Sequence, residues 1–345
     1  MTVLSILVAI LGLGLLMVVH EAGHHFVARA FGMRVIRFSI GFGPAIWRHR
    51  PRGSDTVYQV ALIPFLAYVQ IAGMNPFEEI EPDDEGSYAN ASLTARISTL
   101  AAGPLANYFF ASVLFFGAFA IGGDRVPTTT VKIVDDGPAA AAKMQDEDTI
   151  VRIEGKPIES FDDIRDAVTV RPKQPTRITV RRQGRDHTLV VTPDAKGPDG
   201  KGRIGVESVP KTVPITLGEA ARRSVIAPAV VVQQQVILLG RVILRKVDAD
   251  LAGPVGIVKM AGSAARRGLD TYLELLAMLS AILGLFNLLP FPALDGGRLV
   301  FLGYELVTRR RANAELEAKI HYLGLAFLLA VMVVVSWFDA QRPMP

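Results

Sequence analysis

The chain has 345 residues, half of them hydrophobic, with 37 basic against 33 acidic side chains, a formal net charge of +4 and no cysteine. The apolar residues come in blocks separated by polar stretches, which argues against an ordinary soluble enzyme and for a membrane protein. Disulfides and thiolate ligands are excluded, so any metal must be held by nitrogen and oxygen, and a charge this small gives no reason to expect nucleic acid.

Residues 3 to 24 are apolar as far as Val19 and then carry His20-Glu21-Ala22-Gly23-His24. No positive segment precedes the block and no small-residue cleavage site follows it, so it reads as a retained membrane helix rather than a signal peptide. On a helix, residues four apart lie about 40° apart around the axis, so His20 and His24 can offer two imidazoles to one ion, with Glu21 beside them. Zinc needs such a pair, a further ligand, and an open position for a water that a carboxylate can deprotonate. HExxH is short enough to arise by chance. Three ionisable residues within five positions of a lipid-buried helix nevertheless point to function, because their burial is expensive.

Arg29, Arg34, Arg37, Arg48, Arg50 and Arg52 follow with no acidic residue among them, which places this stretch in the cytoplasm and the N-terminus outside. Between 35 and 74 the runs Val57 to Ile63 and Leu66 to Ile71, punctuated by glycine and proline, read as a membrane-associated β-hairpin. Two readings stand for it: an edge strand that pairs with an extended substrate, with Tyr68 as a candidate contact, or a hairpin packed on the helices. Residues 76 to 92 are acidic and turn-rich, a solvated loop by composition.

Residues 97 to 121 form the second candidate span, running outward, and include Ala102-Gly103-Pro104-Leu105-Ala106-Asn107. Small residues there allow close helix packing, and Asn107 either needs a polar partner or touches the site as a candidate substrate contact. From about 128 to 208 the composition is that of a small soluble α+β domain. Strands are expected at Val131 to Val134, Thr149 to Ile153, Arg177 to Arg181 and Thr188 to Val191, with helices near Ala139 and Phe161. The run Gly137-Pro138-Ala139-Ala140-Ala141, followed by Asp148 to Ile158, resembles a bacterial PDZ domain, which implies either capture of a peptide or C-terminus by strand addition or exclusion of bulky substrates.

Val225 to Leu244 is apolar enough to be scored as a span. Gln233, Gln234 and Gln235 in its middle and Arg222, Arg223, Arg241, Arg245 and Lys246 at its ends suit an amphipathic helix on the outer surface instead. With that parity, residues 271 to 294 run inward and end in Asn287-Leu288-Leu289-Pro290-Phe291-Pro292-Ala293-Leu294-Asp295-Gly296-Gly297. Asp295 then reaches the depth of the histidines; alone, an aspartate among prolines and glycines reads as a turn residue, but paired with HEAGH it becomes the candidate third metal ligand. Asn287 could hydrogen-bond a substrate strand, orient a ligand or only pack. Arg309, Arg310 and Arg311 precede a last span, 319 to 338, running outward.

HExxH in a first membrane helix, a PDZ-like domain after the second and NxxPxPxLDGG before the last resemble the site-2 protease family of intramembrane zinc metalloproteases, in its bacterial RseP/RasP-type branch. The runs Phe38 to Pro44 and Ala101 to Asn107 agree, and the resemblance covers nearly the whole chain. It implies zinc held by His20, His24 and Asp295, Glu21 as base, substrates that are single-pass membrane proteins such as anti-sigma factors or signal-peptide remnants, and contact with membrane lipid. It also implies a bacterial inner-membrane location with the PDZ domain extracytoplasmic and the active site toward the cytoplasm. Two departures are that only one PDZ domain fits and that Phe65-Leu66-Ala67-Tyr68 stands where many relatives have glycines. The expected architecture is a polytopic α-helical membrane protein with about four spans: 1–122 with the hairpin, 123–210 the PDZ domain, 211–268 amphipathic surface helices, and 269–345 the last two spans. Readings from other classes are a catalytically inactive PDZ receptor, a transporter, for which no internal repeat is visible, and a protease of soluble peptides.

Overall fold

The structure, a computed structural model, describes residues 3–75, 78, 81, 83–195, 200–244 and 253–341. In chain order the elements begin with α1 (Val3–Ala30), β1 (Val35–His49), β2 (Val57–Ile71) and α2 (Leu93–Gly122). They continue with β3 (Asp124–Val126), β4 (Thr130–Ile133), α3 (Pro138–Ala141), β5 (Asp148–Ile153), β6 (Lys156–Pro157), α4 (Phe161–Thr169), β7 (Thr176–Arg182), β8 (Arg185–Val191), β9 (Val206–Ser208) and β10 (Lys211–Val213). The last five helices are α5 (Leu217–Ile243), α6 (Pro254–Arg267), α7 (Leu269–Leu288), α8 (Asp295–Thr308) and α9 (Ala314–Gln341). Two compact units result: residues 1–121 with 216–345, and residues 122–215. Within the acidic stretch, residues 76, 77, 79, 80 and 82 lie outside the described residues, as do Arg245 and Lys246.

In the helical unit α1, α2, α5, α7 and α9 are each long and apolar enough to cross a membrane, α5 being additional to the four spans expected from the sequence. Their outward side chains, among them Leu11, Phe109, Leu323 and Val333, are exposed and apolar, as lipid requires. The buried side chains form two clusters. Ala9, Leu16, Phe115, Ala264 and Leu276 gather α1, α2, α6 and α7 at one end. Ala28, Val35, Ile71, Leu100 and Leu302 gather α1, the ribbon, α2 and α8 at the other. His20 and His24 fall between Leu16 and Ala28 on α1, and so between the clusters.

The ribbon of β1 and β2 is more folded than two strands. Residues 37 to 40 have partners on both sides, Val57 to Val60 and, in descending order, Gln70 to Ala67, while Ala45 to His49 pair with Ala61 back to Tyr58. Gly41 and Gly43, both at positive φ, supply the bend, and a Cβ on Gly41 would meet the Ile63 carbonyl oxygen at 2.7 Å. Residues 67 to 71 are thereby left as an edge.

Both ends of α6 are fastened at one face of the helical unit. Its Gly256 N–H donates to Asp339 near the end of α9 (2.8 Å), and Arg266 reaches Ser5 at the start of α1 (3.4 Å). α5 contributes Ala227 and Val231 to the cluster at this same end.

The second unit is PDZ-like: a sheet of order β8-β7-β5-β4-β9, with β6 on β5 and the short helices α3 and α4. Alternate residues Val131, Ile150, Ile178, Val180 and Val191 point into its core, where Ile164 and Val168 of α4 meet them. α4 starts with a capping box between Ser160 and Asp163. β10, past the boundary expected at 210, pairs with β3 and closes the unit. Asp148 is fully buried and accepts two hydrogen bonds from Arg182, each 2.7 Å, and one from the Gln145 amide. Burial alone would raise its carboxyl, but Arg182 and the Gln145 amide outweigh burial and hold it below the usual range. The stabilisation is therefore complete above about pH 4 and is lost as pH falls through the folded value. Arg182→Ala leaves that carboxylate uncompensated and is expected to destabilise this unit by about 3 kcal/mol. Hydrogen exchange on the whole protein at neutral pH should show faster exchange in β5 and β7 with α1 and α2 unchanged.

Candidate metal and active site

Four elements meet at the site because small residues let them. A Cβ on Gly23 of α1 would lie 2.3 Å from the Ala102 carbonyl oxygen of α2, and one on Gly284 of α7 would lie 2.8 Å from the Pro104 carbonyl oxygen. Gly103 faces the histidines themselves: its Cβ would lie 2.3 Å from His24 Nε2 and 2.9 Å from His20 Cε1. The small-residue run on α2 thus serves packing, and it also makes room for two imidazoles.

α7 stops at Leu288 and the chain turns through Pro290 to Leu294 before α8 starts with Asp295. Gly296 and Gly297 permit this turn, since a Cβ on either would strike the carbonyl oxygen of Leu289 (2.1 Å) or Phe291 (2.3 Å). Asp295 arrives with Oδ2 at 3.1 Å from His20 Nε2 and 3.3 Å from His24 Nε2, and the two Nε2 atoms are 3.1 Å apart. The histidines are 4 % exposed, and all three side chains are shielded from bulk solvent. Ligands on a tetrahedral zinc with bonds of about 2.0–2.1 Å stand about 3.3 Å apart, so this triangle fits that ion with little adjustment.

The far sides of the rings agree. His24 Nδ1–H donates to the Thr99 carbonyl oxygen at 2.7 Å, which fixes the tautomer whose Nε2 carries the free lone pair. His20 Nδ1 lies 3.2 Å from the Asn107 amide, whose Oδ1 is buried without a hydrogen-bond partner. A half-turn of that amide lets Oδ1 accept the His20 Nδ1 proton and leaves Nε2 free to ligate. Asn107, a candidate substrate contact by sequence, is fully buried behind His20 instead.

Glu21, one step round α1, accepts the Val69 N–H at 2.9 Å. That amide belongs to the edge segment of β2, whose other side faces Phe38. Tyr68, next along, spends its hydroxyl on Arg37 (3.4 Å) and Gln59 (3.2 Å). It also lines a cleft of about 520 Å³ with Val69, Ala293, Arg298 and His321. Asn287 donates to Leu283 within its own helix (2.9 Å) and does not join the cluster. Sequence reasoning missed Thr99, Val69 and His321. The first two act through main-chain atoms, which leave no mark on residue identity. His321, a histidine in an apolar span, was a visible signal.

The model of peptidase family M50 matches residues 8–331. A protein of Rhizobium meliloti provisionally named a zinc metalloprotease is 32% identical over 95% of this chain and 94% of its own length. The zinc metalloprotease RasP of Bacillus licheniformis is 30% identical over 98% of this chain and 99% of its own, and that of Geobacillus kaustophilus is 28% identical over 99% of each.

Gly103→Ala is expected to abolish stoichiometric metal uptake by displacing both imidazoles, whereas Gly218→Ala, whose Cβ would meet nothing within 4 Å, should leave it unchanged. Metal content of the two purified variants, by elemental analysis, checks this.

Proposed function

The chain belongs to peptidase family M50, and from that premise we propose that it is a zinc endopeptidase of the membrane that cleaves peptide bonds inside the transmembrane segments of single-pass proteins. The observation that carries the reading is the meeting of His20, His24 and Asp295 beside Glu21 and an open strand edge.

His20, His24 and Asp295 would hold a zinc ion, with Thr99 and Asn107 fixing the rings. Zinc, when bound, polarises the scissile carbonyl and makes a water acidic enough to attack near neutral pH. Glu21 is placed to take a proton from an attacking water and to return it to the leaving amine nitrogen as the C–N bond breaks. The Val69 N–H holds one Glu21 oxygen, so the carboxylate is oriented before substrate arrives. A substrate helix hides its peptide bonds in internal hydrogen bonds and must unwind before attack. Residues 67 to 71 offer the unwound segment a strand to pair with, and the cleft beside Tyr68 and Val69 offers space for it.

The arginines after α1 and before α9 support a site toward the cytoplasm and a PDZ-like unit outside, in the inner membrane where a multi-pass relative of RasP belongs. α5 lies along the outer surface. α6 starts at the face where α9 ends, and only residues 244 to 253 join it to α5. Had α5 crossed, that link would have to recross an apolar core about 30 Å thick almost fully extended, with its amides unpaired in lipid. The PDZ-like unit either binds a peptide end or screens out bulky ectodomains.

In liposomes containing a model single-pass substrate, Glu21→Gln should retain zinc and lose cleavage by at least about 100-fold. Retained cleavage would remove Glu21 from the chemistry. Val69→Pro deletes an edge N–H that no ladder partner uses, so it should slow cleavage by about tenfold with zinc unchanged. Unaltered turnover would show that this amide has no part in orienting Glu21.

A further inference from the structure

Three successive residues of the loop before Asp295 dock on one stripe of α9. The Phe291 ring lies 6.0 Å from that of Phe327. Pro292 sits against Gly324, where a Cβ would come within 2.3 Å of the proline Cβ. The Ala293 N–H donates to His321 Nδ1 at 2.9 Å. The α9 partners thus step back by three as the loop steps forward by one, the spacing that keeps them on one helix face.

This docking does specific work at Ala293, which has a left-handed φ of 72°. An alanine in that conformation is strained, and such strain persists only where the surroundings impose it. Asp295 follows two residues later, and no side chain caps the α8 N-terminus at Leu294. The loop's own bonds, Phe291 N–H to Leu289 and Leu294 N–H to Phe291, leave the Ala293 amide to His321 alone. His321 is itself braced, with Phe301 of α8 at 5.7 Å between ring centroids.

We propose that α9 is a splint for the third metal ligand and that His321 is the positioning residue, its Nδ1 holding the Ala293 amide so that Asp295 closes on His20 and His24. His321 also lines the 520 Å³ cleft, so a segment bound there presses on the same helix that fixes Asp295. The inference rests on the zinc reading given above, and the two can fail separately.

The test is zinc affinity by chelator competition for the purified full-length protein, with His321→Leu, His321→Asn, Gly324→Ala and, as control, Leu323→Ala on the exposed side of α9. Leucine removes the acceptor at similar volume, and asparagine Oδ1 restores an acceptor where Nδ1 stood. The native chain and Leu323→Ala should bind about one zinc with equal affinity. His321→Leu should bind at least about tenfold more weakly, as loss of an outer partner of a metal site does, and His321→Asn should recover more than half of that loss on a logarithmic scale. Gly324→Ala, which keeps His321 but pushes on Pro292, should also weaken binding, and it decides the matter should His321→Leu not fold. A His321→Leu affinity within twofold of native, a smaller recovery by asparagine, or native affinity in Gly324→Ala overturns the splint. A native chain that takes up no zinc overturns the zinc reading instead.

Discussion

The structure turns on placing two imidazoles and a carboxylate together at a depth where lipid surrounds the helices. An isolated charge there is expensive, and its cost falls only when every polar atom has a partner. Each member of the triangle is held from behind. The Thr99 carbonyl oxygen accepts the His24 Nδ1–H, Asn107 stands against His20, and Asp295 begins α8, where the positive end of the helix favours a carboxylate. With the inner atoms so arranged, a divalent ion would complete the balance that three converging lone pairs alone cannot.

That arrangement sets the helix packing. The histidines of α1 fit only against a helix with no side chain at Gly103, and α1 and α2 approach closely at Gly23 for the same reason. Gly284 brings α7 onto α2, and Ser280 Oγ donates to the Asn107 carbonyl oxygen at 2.8 Å, tying the third helix to the residue behind His20. The ribbon then supplies what helices lack, a row of main-chain groups open to an extended chain, and its edge amide at Val69 already grips Glu21. On the proposed reading, substrate pairing and base orientation share one strand.

Much of this was legible in the residues. HEAGH identified its own helix and spacing, and the expectation that Asp295 reaches the histidines from 275 positions away agrees with the 3.1 Å between Asp295 and His20. The strands of the PDZ-like unit could be read from alternation at Val131, Ile150 and Ile178. What escaped has physical reasons. β1 was not among the runs read as strands, because its glycines mask a strand that bends and pairs on both sides. α8 was not foreseen, since the glycines after Asp295 read as a turn although they open a helix. Asn107 could be recognised as polar and placed near the site, but which side of His20 it occupied depended on how α2 packs. His321, 26 positions past Asp295, stood out as a histidine in an apolar span, but the role proposed for it runs through the Ala293 main-chain amide, which residue identity does not reveal.

X-ray absorption at the zinc edge on the purified native protein tests the central claim most directly, because it reads the ligands of the ion themselves. The account predicts about one zinc per chain in a four-coordinate shell of two imidazole nitrogens and two oxygens at about 2.0–2.1 Å. Absence of zinc from folded protein, an all-oxygen shell, or a single imidazole would contradict it.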